Sequence, residues 1–148
     1  MNEIAQKTVL ISGGAGSMGQ LVSDYISSRN DFIMTAIHDP NYDGQEYKIY
    51  KDLTNIEEDI VVEFSPASVI NKNIEKLLDS NADLIIGSSG VSAEMLSKLK
   101  KTTDRKIIVI PNFSIGAAYQ KLFAASLSEN FDSVNTVSYT HLTLPTNG

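Results

Sequence analysis

The sequence contains no cysteine and no tryptophan among its 148 residues, and only two histidines and four prolines. Without cysteine there are no disulfides, no thiolate metal ligands and no cysteine nucleophile. Histidine is nearly as scarce: apart from His141 near the C-terminus, the chain has His38 alone. No Ser/His/Asp arrangement and no cluster of metal-ligating residue types at useful spacing can be assembled from the rest. Positive charge is also short, with 12 Lys and Arg against 18 Asp and Glu, for a net charge of -6. Nucleic-acid binding depends on neutralising phosphates, so this balance argues against it. No apolar run approaches the roughly 20 residues that a membrane span needs, and residues 1–7 lack a signal-peptide pattern. Composition thus points to a soluble, cytoplasmic protein with neither nucleic acid nor membrane among its partners.

What is present is a regular alternation of apolar runs with segments of helical period, the pattern of βαβ units around a parallel sheet. Residues 8–11, 32–37, 60–64, 84–86 and 106–110 read as five strands. The first helix carries an apolar stripe of Leu21, Val22, Tyr25 and Ile26. The second opens with Ser65 as N-cap and Pro66 at the first helical position, with Val69, Ile70, Ile74, Leu77 and Leu78 as its core face. Two more helices are expected over residues 92–100 and 116–128. Residues 41–59 are polar and read as a loop with at most a short edge strand around residues 46–49. The fold class that follows is α/β: one doubly wound, Rossmann-type parallel sheet with strand order 3-2-1-4-5 and right-handed crossovers.

Three short stretches directly follow apolar runs, where such a sheet keeps its ligand loops beyond the carboxyl ends of the strands. The first runs through Gly13, Gly14, Ala15, Gly16, Ser17 and Met18 to Gly19. It fits two overlapping spacings, Gly14-x-Gly16-x-x-Gly19 and Gly13-x-x-Gly16-x-x-Gly19. Glycines suit a tight turn and let the backbone approach a pyrophosphate seated on the helix N-terminus. Asp39 ends the second strand, about twenty residues on, where a carboxylate can accept hydrogen bonds from the adenosine ribose. That residue favours NADH over NADPH, and Pro40 stands where a basic residue would help hold a 2′-phosphate. Lys48 or Lys51 could still fold over that position. The other two stretches are Gly87-Ser88-Ser89-Gly90 and Ile110-Pro111-Asn112-Phe113, the latter running on to Gly116. His38 reads as a residue flanking the cofactor rather than a general acid, and Glu63 as a cap for neighbouring amides rather than a catalytic group.

Residues 137–146 break abruptly with what precedes them and resemble a translated sequencing adapter, with Thr136 and Asn147 compatible with its ends. The expected division is therefore a dinucleotide-binding domain over residues 1–135 and a non-native tail over residues 136–148. His141 then leaves any catalytic argument.

Glu63-Phe64-Ser65-Pro66, Gly87-Ser88-Ser89-Gly90 and Pro111-Asn112-Phe113-Ser114-Ile115-Gly116, in that order behind Gly13-x-x-Gly16-x-Met18-Gly19, resemble the N-terminal domain of 4-hydroxy-tetrahydrodipicolinate reductases. The resemblance runs over residues 7–135. It implies that Gly13 to Met18 hold the pyrophosphate, Asp39 the ribose, Gly87 to Ser89 the nicotinamide ribose and ring, and Ile110 to Phe113 the nicotinamide side. It also implies NADH or NADPH as cofactor, a small-molecule substrate and a homotetramer for the intact protein. The family's reaction is reduction of a cyclic unsaturated dicarboxylate on the route to diaminopimelate and lysine. Its paired histidines, substrate lysine and Ser-Gly-Thr loop belong to a second, C-terminal substrate domain, and this sequence contains none of them. The chain departs from the family's habit at Ser17 (commonly basic), Glu63 (commonly Asp) and Ser88-Ser89 (commonly Thr-Thr). Two alternatives stand beside this reading: a stand-alone NAD(H)-binding or redox-sensing module, and another two-domain oxidoreductase such as a semialdehyde or amino-acid dehydrogenase.

Overall fold

A computed structural model of the chain describes residues 6–110 and 115–128. Pro111, Asn112 and Phe113, and the expected tail, lie outside the described residues. Two compact units are present, one ending at Phe113 and one beginning at Ser114. In the first, the chain runs β1 (Lys7–Ser12), α1 (Ser17–Ser27), β2 (Phe32–His38), β3 (Lys48–Ile49), β4 (Ile60–Glu63), α2 (Ile70–Leu77), β5 (Asp83–Ile86), α3 (Ala93–Lys101) and β6 (Ile107–Val109). The second contributes α4 (Ile115–Ser128), on which Tyr119 and Phe123 stack one turn apart with centroids 6.3 Å from each other.

All strand pairs are parallel, in the order β3-β2-β1-β4-β5-β6. This is the expected doubly wound α/β sheet, but the expected strand order was wrong. Counted over the five main strands it is 2-1-3-4-5: β4 lies beside β1 rather than outside β2. Burial gives the reason. Val61 and Val62 of β4 are both buried, which demands a place inside the sheet with cover on both faces. Lys48 and Ile49 of β3 are exposed and suit an edge. The polar stretch over residues 41–59 supplies that edge strand and then returns the chain to the far side of β1.

Side chains alternate across the strands, so two cores form. One gathers Leu10, Val61, Leu84 and Ile86 against Ile70, Ile74 and Leu77 of α2 and Met95 and Leu99 of α3. The other packs Val9, Ile11, Met34, Ile37 and Val62 with Ile26 of α1. Met34 and Ile37 share a face despite their odd spacing because the β1–β2 register shifts between Val9 and Leu10: Val9 pairs with Met34 and Leu10 with Ala36.

Two helix expectations need correction. Of the expected stripe on α1, Ile26 is buried and Val22 half-buried, but Leu21 and Tyr25 are exposed, and Gly19 is buried in their place. The helix lies so close to the first loop that a Cβ on Gly19 would stand 2.7 Å from Gly14 Cα, which turns the face carrying Gly19 and Ile26 inward. α2 starts at Ile70, later than Ser65-Pro66 suggested, and Val69 is exposed. Residues 67–69 form a turn, with Val69 and Ile70 donating to the Pro66 carbonyl at 3.0 and 3.2 Å. The Ser65 hydroxyl is drawn away from capping into a buried polar network. α3 follows its expectation closely: Ser92 Oγ caps it, accepting from Met95 N–H at 3.1 Å, and Lys98, Lys100 and Lys101 sit at its C-terminal end.

Candidate functional site

β1 pairs with β2 on one side and with β4 on the other, and the loops leaving β1 and β4 part at that point. Between them opens a cleft of about 570 Å³, beyond the carboxyl ends of the strands. Its walls bring together three segments that are distant in sequence. Gly13, Ala15 and Gly16 come from the loop after β1, His38 to Asn41 from the end of β2, and Phe64 to Pro66 from the end of β4.

The glycine loop needs its glycines. Gly13 has φ of +81°, and a Cβ there would stand 2.8 Å from the Phe64 carbonyl carbon. The loop therefore crosses the β4 terminus at backbone contact, a close approach that only glycine permits. Gly16 takes an extended conformation as the N-cap of α1 and supplies no side-chain cap, and no acidic residue occupies the first turn. Among the described residues no side chain caps the amides of that turn. Asp39 sits against this loop. Its carboxylate accepts from Ala15 N–H at 3.0 Å and from Asn41 N–H at 2.8 Å.

Beneath the cleft runs a buried polar chain. Ser12 Oγ lies 2.9 Å from His38 Nδ1 and 3.0 Å from Ser65 Oγ. Asn73 Nδ2 donates to Ser65 Oγ at 3.1 Å and to Glu63 Oε2 at 3.3 Å. Glu63, fully buried, accepts from Ser65 N–H at 2.6 Å. The expected capping role of Glu63 is therefore what the structure shows. Burial pushes the His38 imidazolium below its ordinary value, against the opposing pull of the negative charges of Glu63, Asp39 and Asp52. His38 flanks the cleft.

The second loop is latched to the same strand end. Gly87 N–H donates to the Glu63 carbonyl at 3.0 Å, and the buried Ser88 hydroxyl donates to the same oxygen at 3.2 Å. Ser89 is exposed. Gly90 has φ of +92° and no room for a Cβ, which would stand 2.6 Å from Ala67 Cβ. Sequence reasoning missed Asn71, whose side chain grips this loop from α2: Nδ2 donates to the Gly90 carbonyl at 3.0 Å and Oδ1 accepts from Ser92 N–H at 2.9 Å.

It also missed the cations. Lys48 does not fold over Asp39; it is held by Glu57 and Tyr50, each at 2.8 Å. Lys72 and Lys76 of α2 line the cleft instead. The signal was there as a second stripe on α2: Val69, Lys72, Asn73 and Lys76 recur at helical spacing beside the Ile70, Ile74 and Leu77 stripe. Ile110 ends the described body, its N–H donating to the Ile86 carbonyl at 2.8 Å. Among the described residues no group of three or more His, Asp or Glu is placed to hold a metal ion. No described helix is long and apolar enough to cross a membrane.

The family described as dihydrodipicolinate reductase, N-terminus, matches residues 7–113, which includes every strand of the sheet and the whole of the cleft. The chain belongs to this family. Its relatives include the 4-hydroxy-tetrahydrodipicolinate reductase of Coxiella burnetii, 27% identical over 136 residues, covering 90% of this chain and 55% of that protein. That of Dictyoglomus turgidum is 24% identical over 151 residues, covering 91% and 56%. The chain thus spans about half the length of the curated relatives it matches. Among solved structures, a dipicolinate-bound dihydrodipicolinate reductase from Paenisporosarcina superposes with a TM-score of 0.66 at 23% identity, covering 85% of this chain and 55% of that one. A myo-inositol dehydrogenase from Corynebacterium glutamicum gives 0.58 at 15% identity, covering 83% and 42%. These superpositions show that the fold is shared beyond the reductase family.

Proposed function

We propose that the chain is the cofactor-binding part of a 4-hydroxy-tetrahydrodipicolinate reductase and that it holds NADH or NADPH in the cleft between the β1 and β4 loops. The observation that carries this reading is the Gly13 to Met18 loop, which crosses the β4 terminus at backbone contact and is tied to Asp39 through the Ala15 amide. The first-turn amides of α1, with Gly16, Ser17 and Met18 around them, would take the pyrophosphate. Asp39 would turn to the adenosine ribose hydroxyls, which favours NADH. Gly87, Ser88 and Ser89 would meet the nicotinamide ribose, and Ile110 to Phe113 would border the ring. When bound, the nicotinamide would supply the hydride for the reduction. The chain's own residues bind and orient it: Asn71 holds the second loop in place, and the buried polar chain from His38 to Glu63 fixes the strand ends on which the loops stand.

The same reading makes the protein cytoplasmic, with a small-molecule substrate, no nucleic-acid or membrane partner, and a homotetramer as its working assembly. It assigns no catalytic residue to this sequence. The test is calorimetric titration of the 148-residue chain with NADH. Saturable one-to-one binding without turnover of 4-hydroxy-tetrahydrodipicolinate is expected. A folded chain that ignores millimolar NADH would sink the cofactor assignment, and measurable turnover would sink the claim that the catalytic residues lie elsewhere.

A further inference from the structure

We propose that Lys72 and Lys76 of α2 form a site for the 2′-phosphate of NADPH on the wall of the cleft, so that the chain accepts the phosphorylated cofactor despite Asp39. The proposal rests on the dinucleotide reading above and names the residues that decide between its two cofactors. The position after Asp39 is Pro40, which can offer no cation, and Lys48 is committed to Glu57 and Tyr50. The described cations that line the cleft are Lys72 and Lys76. They stand one turn apart on the same stripe of α2, and Asp39 lines the same cleft.

Three further observations support the assignment. Asp39 is the residue expected to repel a phosphate, yet both its oxygens already accept backbone amides, from Ala15 and Asn41. In the unliganded chain those two bonds hold the carboxylate against its own loop. Lys72 is exposed, with no ion pair among the described residues, so its ammonium is available. Lys76 is bonded to Asp52 at 2.6 Å, and Asp52 is half-exposed. A solvent-facing pair of this kind contributes little stability, so a phosphate dianion can compete for the ammonium.

The test is titration of the full chain with NADH, NADPH, 2′-AMP and 5′-AMP, in the wild type and in Lys72→Ala, Lys76→Ala and Asp52→Asn. NADPH and 2′-AMP should weaken about tenfold in each lysine variant, the loss expected for one charge-assisted contact, while NADH and 5′-AMP stay within about twofold. Asp52→Asn frees Lys76 and should tighten NADPH and 2′-AMP without changing NADH, a gain that a merely structural role for Lys76 would not produce. Equal weakening of NADH and NADPH, or NADPH binding indifferent to both lysines, overturns the lysine assignment and leaves the dinucleotide reading standing. A folded wild-type chain that binds neither cofactor overturns both.

Discussion

Ser12 and His38 are register partners at the carboxyl edge of the β1–β2 pair, and a 2.9 Å hydrogen bond between hydroxyl and Nδ1 joins them. That bond ties the half-buried imidazole to the polar chain leading to Glu63, and burial disfavours its protonation relative to the ordinary value of 6.5. As pH falls, the unfolded chain therefore takes up this proton before the folded one does. The stability tied to neutral His38 is fully present above about pH 6.5 and declines as the pH drops from there through the lowered folded value. Urea unfolding at steps from pH 8 to 5 should show this decline in the wild type and a shallower one in His38→Gln. Identical pH slopes would remove His38 from the account.

Gly13→Ala should destabilise the fold by about 1–3 kcal/mol, since it combines a positive φ with a clash against backbone that cannot move aside. The new Cβ would stand 2.8 Å from the Phe64 carbonyl carbon, and its insertion should also abolish NADH binding. Gly16→Ala is the milder comparison: its Cβ would approach Gly13 O at 3.3 Å, a tight contact that a shift of a few tenths of an ångström relieves, so the denaturation midpoint should move less than for Gly13→Ala. Matching midpoints for the two variants would contradict the close approach.

Glu63→Leu should cost about 3 kcal/mol, because it strips acceptors from two buried donors, the Ser65 amide and the Asn73 side chain. Glu63→Gln keeps an acceptor for the Ser65 amide and should cost clearly less. A double-mutant cycle with Asn73→Ala should return a coupling of about 1 kcal/mol, as expected for groups sharing one network. Additive losses would mean that the two side chains act independently.

Glu58 offers the opposite case. Its side chain is buried, and among the described residues Oε2 has no hydrogen-bond partner. Glu58→Met should therefore raise the unfolding free energy by about 1 kcal/mol, because it removes an unpaired buried polar atom and preserves length. Thermal melting of the two proteins decides it, and a lower melting temperature for the variant would show that the carboxylate has a stabilising role.

The legible parts of this fold were those whose signals are local. Val9 to Ile11 announce a buried strand by their run, and Ser92 announces α3 because its own hydroxyl makes the cap. The glycine loop was readable for the same reason: a positive φ at Gly13 is a property of one residue and its immediate turn. Where local signals competed, they misled. Ser65-Pro66 carries good helix-start chemistry, but the Ser65 hydroxyl found better partners in Ser12 and Asn73, and α2 began one turn later.

The sequence alone therefore determined the α/β class, the glycine loop after β1 and the acid at the end of β2, because period, glycine and strand-end position are encoded within a few residues. Tertiary structure decided which strand lies beside β1, that Glu63 serves Ser65 and Asn73, that Asn71 holds the second loop, and that Lys72 and Lys76 rather than Lys48 face the cleft. Each of these depends on burial and on partners brought together only by packing. Val61 and Val62 need cover on both faces, so β4 moves inward, and that move carries α2 and its lysines to the cleft.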